Sequence, residues 1–165
     1  INDFNSLTAR PGLRAKAGDL FDAARVSRSV AGMDGVICLF DSPSVPTAPD
    51  ATLVGQPQDL YQAVYTLLLG MTEVGVERLL RVADFNAHAE ESELAAALQL
   101  IASHPLKWTL VDASTAEEGL SIEDFSNIEG LPSNDPRTKL RRIAAAMVDE
   151  LVQPQHLHQQ IQFRL

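Results

Sequence analysis

The chain has 165 residues, 45% of them hydrophobic, and a formal net charge of -9. That length suits one domain with a sizeable core, and the composition speaks against disorder. The acidic balance argues against nucleic acid as a partner, because no stripe of Lys and Arg offers phosphates a landing surface.

The one basic cluster, Arg137 to Arg142, reads as the solvated first turns of a helix. No stretch reaches the roughly 18 apolar residues of a membrane span, so no membrane partner is expected. No basic region followed by a hydrophobic segment marks a signal peptide. Cys38 is the single cysteine. It permits no intrachain disulfide, which fits a reducing compartment, and its place within Val36-Ile37-Cys38-Leu39-Phe40 reads as a small core residue rather than a nucleophile. These features together predict a cytoplasmic protein.

In chain order, Ile1 to Arg10 is polar and turn-rich, and Pro11-Gly12 signals a turn before a short strand over Leu13 to Ala17. Gly18-Asp19 turns the chain into an amphipathic helix over Phe21 to Val30. Asp19 or Asp22 is placed to accept hydrogen bonds from its first amides. Gly32 ends that helix, and a buried apolar strand runs from Gly35 to Phe40, closing in Asp41-Ser42-Pro43. Ser42 to Gln58 is a proline-rich loop. A helix from Asp59 to about Glu73 carries Leu60, Val64, Leu67, Leu68 and Met71 on one side, and Gly75 stops it. Val76 to Ala83 reads as a strand with charges near its start, closed by Asp84. Glu90 to Ser103 is a helix rich in Ala, Leu and Glu, with acids at its positive end. Lys107 to Val111 is a strand closed by Asp112, and Thr115 to Pro136 is irregular and acidic. Thr138 to Val152 is a helix by its three- and four-residue apolar spacing. Leu157 to Leu165 reads as a terminal edge strand.

This alternation predicts an α/β fold built on a parallel sheet with helices on both faces. Ligands of such sheets bind at the carboxyl ends of the strands. The histidines give little: His156 and His158 read as exposed polar residues and His104 as a turn residue. His88, near the carboxyl end of a strand, is the best-placed titratable group. No tyrosine is followed four residues later by a lysine, since Tyr61 meets Tyr65 and Tyr65 meets Leu69. No catalytic residue is assigned.

Several stretches, taken in order, resemble the NAD(P)H-binding atypical short-chain dehydrogenases, the NmrA-like and flavin-reductase-like proteins. They are Ala9 to Leu13 with Ala17 to Asp22, Val30 to Ile37, Glu73 to Leu80, Leu106 to Val111, and Ala144 to Leu151 with Pro154 and His156. The resemblance implies a single NAD(P)-binding domain over residues 1–165, Rossmann-like, with a doubly wound, three-layer parallel sheet. It implies NAD or NADP as cofactor and hydride transfer to a small organic substrate. The Asp19 carboxylate would accept from the adenine amino group and the Leu20 amide would address a ring nitrogen. Leu39, Phe40 and Asp41 would line the cofactor, with Val82 and Ala83 toward the nicotinamide. Asp19 as a helix-capping turn residue is the competing reading.

The family's first strand, first helix and glycine-rich phosphate turn have no counterpart here. Either they precede Ile1 or dinucleotide binding in the usual way is lost. Ile1 to Asn5 contains no Lys or Arg to hold a 2′-phosphate, so the sequence does not favour NADP over NAD. The missing tyrosine–lysine pair leaves a second reading, a non-catalytic dinucleotide-sensing or protein-interaction module. Homo-oligomerisation is left open.

Overall fold

A computed structural model describes residues 11–14, 18–39, 59–83, 92–112 and 136–162. Among the described residues eight elements follow one another: α1 (Ala23–Val30), β1 (Val36–Cys38), α2 (Leu60–Glu73), β2 (Arg78–Ala83), α3 (Ser92–Ala102), β3 (Lys107–Asp112), α4 (Pro136–Val152) and β4 (Gln159–Gln162). The strands form one parallel sheet in the order β1-β2-β3-β4. The chain is therefore an α/β protein with a four-stranded parallel sheet, as its alternating pattern predicts.

Local chemistry sets the element ends. Asp22 and Asp59 are extended residues whose carboxylates accept from the amides of Arg25 and Gln62, so α1 and α2 start one residue later than their caps. Pro136 opens α4, where its missing N–H is no loss. The strand expected over Leu13 to Ala17 is not found at Leu13 or Arg14, which are exposed and irregular, and the rest of that span lies outside the described residues.

Strand side chains alternate between the two faces of the sheet. Leu79, Trp108 and Leu110 face a large cluster with Val26, Val64, Leu67, Leu68, Met71, Leu94, Ala97 and Ile101 from α1, α2 and α3. Leu80, Val82 and Val111 face a smaller one, packed with Ile37, Met147, Leu151 and Ile161. So α1, α2 and α3 cover one face and α4 lies on the other.

The described strands do not reverse order about a switch point, as a doubly wound sheet would. Right-handed crossovers that step in one direction keep their helices on one face. α2 and α3 obey this, and α4 is the exception.

Gly70 sets the distance between α1 and α2. A Cβ built there would lie 2.7 Å from Val26 Cγ1 and 3.1 Å from the Ser27 amide nitrogen. The helices meet at their backbones, and the Ser27 hydroxyl donates to the Glu73 carboxylate across the same contact.

Candidate functional site

The turn before α1 is ordered by its own aspartates. Asp19 Oδ1 accepts from the Phe21 amide at 2.9 Å, and the Asp19 carbonyl accepts from the Asp22 amide at 3.4 Å. This is the local side-chain turn that aspartate favours. Asp22 then caps α1, accepting from the Arg25 amide at 3.1 Å and pairing with Arg25 Nε at 3.3 Å. The sequence leaves the cap open between Asp19 and Asp22; the structure gives it to Asp22 and makes Asp19 the turn residue ahead of it. Asp19 Oδ2 has no partner among the described residues.

At the other end of α1 the chain turns through Gly32, whose φ of 74° is the left-handed conformation that glycine adopts without penalty. That turn brings Met33 back beside the helix and feeds β1. Between α1, β1 and the turn at Asp19 lies a cavity of about 770 Å³. Its walls are Val26, Ser29 and Val30 of α1, Met33, the run Val36 to Leu39, and Leu67 of α2; Gly12 to Arg14 and Gly18 to Leu20 close it. The size falls within the range of small-molecule sites, and apolar side chains dominate the lining, with few polar groups among them. Ser29 directs its hydroxyl to the Arg25 carbonyl at 2.8 Å, so it is already engaged. Cys38 is buried in the core, as the sequence predicts, and its residue also lines the cavity.

Of the sequence-predicted site residues, Asp19, Leu20 and Leu39 are brought together at this cavity. Val82 is not: it follows Arg81 in β2 and faces the α4 side of the sheet, next to Leu80 and Val111. The period of two along a strand decides this. Ala83 ends β2 opposite Asp112. Phe40, Asp41 and His88 lie outside the described residues.

A second polar constellation sits where β2 and β3 begin, and the sequence reading missed it. Arg78 and Glu150 are both buried, with side chains 6% and 5% exposed, and pair at 3.1 Å. Arg78 Nη2 also donates to Thr109 Oγ1 and to the Glu150 carbonyl, each at 2.9 Å, and Nη1 donates to the Lys107 carbonyl at 2.8 Å. The Glu150 carboxylate accepts from the Gln155 and His156 amides and contacts His156 Nδ1 at 2.8 Å.

Burial acts to raise the Glu150 carboxyl, but the His156 ring, the two amides and the His156 charge outweigh it and hold it below the usual carboxylate range. For Arg78, burial lowers the guanidinium from its usual range and the Glu150 charge opposes that. The signal for this cluster was parity: Arg78 shares a face with Leu80 and Val82, and a charge on an inward face needs a partner.

His158, read from sequence as an exposed polar residue, contacts the Leu106 carbonyl through Nε2 at 2.9 Å and stacks edge-on against Trp108. His156 is likewise engaged, with Glu150. Burial lowers His104, whose Nδ1 accepts from the Leu106 amide at 3.4 Å within its turn. Among the described residues no three His, Cys, Asp or Glu side chains gather to hold a metal ion. No helix among them is long and apolar enough to cross a membrane.

No protein-family model matches the chain, and no curated protein does. A solved structure of a "putative exported protein" from Burkholderia pseudomallei matches over 91% of this chain and 80% of its own, with a TM-score of 0.53 and 18% identity. At that identity the likeness speaks for the fold.

The same likeness corrects the expectation of a cytoplasmic NAD(P)-dependent oxidoreductase. That solved protein bears the name of a "putative exported protein", which speaks of neither NAD(P) binding nor a reductase. Cytoplasmic location rested on the cysteine count and the absence of a signal peptide. A single thiol buried in a large core suits either compartment, because such a core needs no disulfide.

Proposed function

We propose that the cavity beside β1 is a small-molecule binding site for a flat, largely apolar ring that carries a hydrogen-bond donor. Adenine, with its exocyclic amino group, has this chemistry. The observation that carries the reading is Asp19. One carboxylate oxygen is committed to the Phe21 amide, and the other is left without a described partner in a residue that lines an otherwise mostly apolar cavity. A charged acceptor against apolar walls selects a donor, since a carboxylate oxygen offers no hydrogen of its own. The resemblance of Ala17 to Asp22 to the adenine turn of the NmrA-like proteins supports the same ring. With α1 to α3 on one face and α4 on the other, we read the fold as a three-layer, Rossmann-like sheet. No hydride transfer or other reaction is assigned to the site.

Adenosine and inosine test the reading, because they differ where Asp19 would reach: inosine has a carbonyl in place of the amino group. Calorimetric titration of the intact chain is expected to show adenosine binding roughly 10- to 100-fold tighter than inosine, the value of one hydrogen bond to a charged group. Asp19→Asn keeps an acceptor for the Phe21 amide but replaces the second oxygen with a donor. It is expected to erase the preference without moving the unfolding midpoint. Equal binding of the two nucleosides, or no binding of either at millimolar concentration, would overturn the reading.

A further inference from the structure

α2 turns its core residues inward, and the helical period then lines Tyr61, Tyr65 and Leu69 along its outer side. These three large side chains are 39%, 46% and 47% exposed. α3 packs alongside α2, and its Glu93 carboxylate accepts from the Leu60 amide at 2.6 Å, so the two helices start level with each other. The exposed positions Ala95, Gln99 and Ala102 carry the same surface across α3. In a chain that is 21% charged, the only charged residues of these two helices are Glu73 and Glu93. Both are engaged within the chain, Glu73 with the Ser27 hydroxyl and Glu93 with the Leu60 amide. The surface between them is apolar and uncharged.

From this arrangement we infer that the outer side of α2 is the contact between two copies of the chain, with α2 crossing α2 antiparallel about a two-fold axis at Tyr65. The composition is that of an interface, because aromatic side chains are enriched and charges depleted at the centres of protein contacts. Charge selects the occupant. A basic partner would be met by acids, of which this chain has a surplus, yet the surface offers none. Two copies of net charge -9 repel each other and can close only where charge is absent. The ridge also matches itself. Reversed about Tyr65, Tyr61 of one copy meets Leu69 of the other and Tyr65 meets Tyr65, as an isologous contact requires. At about 200–250 Å² for a whole large side chain, the three expose roughly 300 Å² per copy. Contact residues average about 30–40 Å² each, so the exposed positions of α3 bring the total over both copies to about 1,000 Å². That is the lower end for a specific contact, and it implies a dimer of micromolar affinity rather than an obligate one. The contact stands apart from the cavity beside β1, which α2 lines through Leu67 on its inner side.

Sedimentation of the intact chain tests this. The natural chain is expected to pass from monomer to dimer as its concentration rises through the micromolar range. Raising salt from about 0.05 to about 0.5 M is expected to tighten the dimer several-fold, since salt screens the repulsion of two acidic chains and the contact has no ion pairs to lose. Tyr65→Glu sets two carboxylates together at the axis. It is expected to weaken association at least about 100-fold while the unfolding midpoint of the dilute chain stays unchanged, as for a surface substitution. Tyr65→Cys is expected to give a disulfide-linked dimer under mild oxidation, whereas Asp149→Cys, exposed on α4 at the opposite face, is not. Cys38 is buried and supplies no background link. A chain that stays monomeric at about 0.5 mM in high salt would overturn the inference and leave the surface to a protein of another sequence. A dimer that withstands Tyr65→Glu, loosens with salt, or links as readily through Asp149→Cys would overturn it as well, because the copies would then meet elsewhere.

Discussion

The two faces of the sheet are held by different means. On the α1–α2–α3 face a single apolar cluster runs from Val26 to Trp108 and includes fifteen buried residues, from three helices, the sheet and the adjoining loops. On the α4 face three buried apolar residues, Leu80, Val82 and Val111, meet a helix whose Met147 and Leu151 are only partly buried. The thinner face carries the buried ion pair. Desolvating Arg78 and Glu150 costs several kcal/mol per ion, and their attraction roughly offsets it. The pair therefore adds little net drive. It fixes where α4 stops against β2 and β3, because Glu150 accepts at once from Arg78, from Gln155 and from His156. Burial provides cohesion on one face and polar geometry provides position on the other.

The largest effect should come from leaving one of these charges alone. Glu150→Ala is expected to lower stability by about 3–5 kcal/mol, since Arg78 then stays buried without its carboxylate. Replacing both residues, as Arg78→Met with Glu150→Met, should recover most of that loss in urea unfolding. Recovery would confirm that the pair positions α4 rather than driving its docking. A double variant as unstable as Glu150→Ala would break the contrast between the faces.

The same cluster has a pH signature. The Glu150 carboxyl is held below its unfolded value, so its contribution is complete above the ordinary carboxylate range and is lost as pH falls through the folded value. Unfolding midpoints of the natural chain should drop more steeply below about pH 5 than those of the double-Met variant.

Much of the apolar face was legible in the sequence. Leu60, Val64, Leu67, Leu68 and Met71 announce α2 by their spacing, and Asp22 and Asp59 mark helix starts that their carboxylates cap. By contrast α4 opens at Pro136, two residues before the Thr138 start that apolar spacing predicts. On the α4 face the helix was legible by its apolar spacing, but the polar junction was not. Arg78 and Glu150 stand 72 residues apart, and no local pattern connects them. Val82 shows the same limit at the candidate site. The family resemblance implied a ligand contact there, but only the register of β2 reveals which face it takes. Asp19 was readable because its role is local: an aspartate two residues before the amide it holds. The choice between Asp19 and Asp22 as the cap needed coordinates, since either carboxylate is close enough in sequence to serve.

A smaller effect is expected on the apolar face. Gly70→Ala places a methyl against Val26 and the Ser27 backbone, which are too close to admit it. α1 must move off α2, at a cost of about 1–3 kcal/mol in thermal unfolding. Because Val26 also lines the cavity, the same variant should weaken adenosine binding while Glu150→Ala, on the opposite face, leaves binding intact at temperatures where it is folded. Two variants that both destabilise but separate in ligand affinity would show that the faces act independently. Equal losses of affinity would show instead that the cavity depends on the whole sheet.

The smallest effect lies one residue away from the largest. Glu77 and Lys107 pair at 2.6 Å across the start of β2 and β3, with side chains 63% and 55% exposed. Lys107 is the register partner of Arg78, so the exposed and the buried pair share the same two strands. The hydrogen bond from Lys107 and its charge hold Glu77 below the usual carboxylate range. Water and salt nevertheless screen this pair as they cannot screen Arg78 and Glu150. Glu77→Ala is expected to leave the urea midpoint unchanged within error, and Lys107→Ala likewise. A measurable loss on removing Glu77 would mean that alignment of β2 with β3 begins at the surface pair. No loss would leave Arg78, reaching from β2 to Thr109 in β3 and Glu150 in α4, as the residue that sets the junction of sheet and helix.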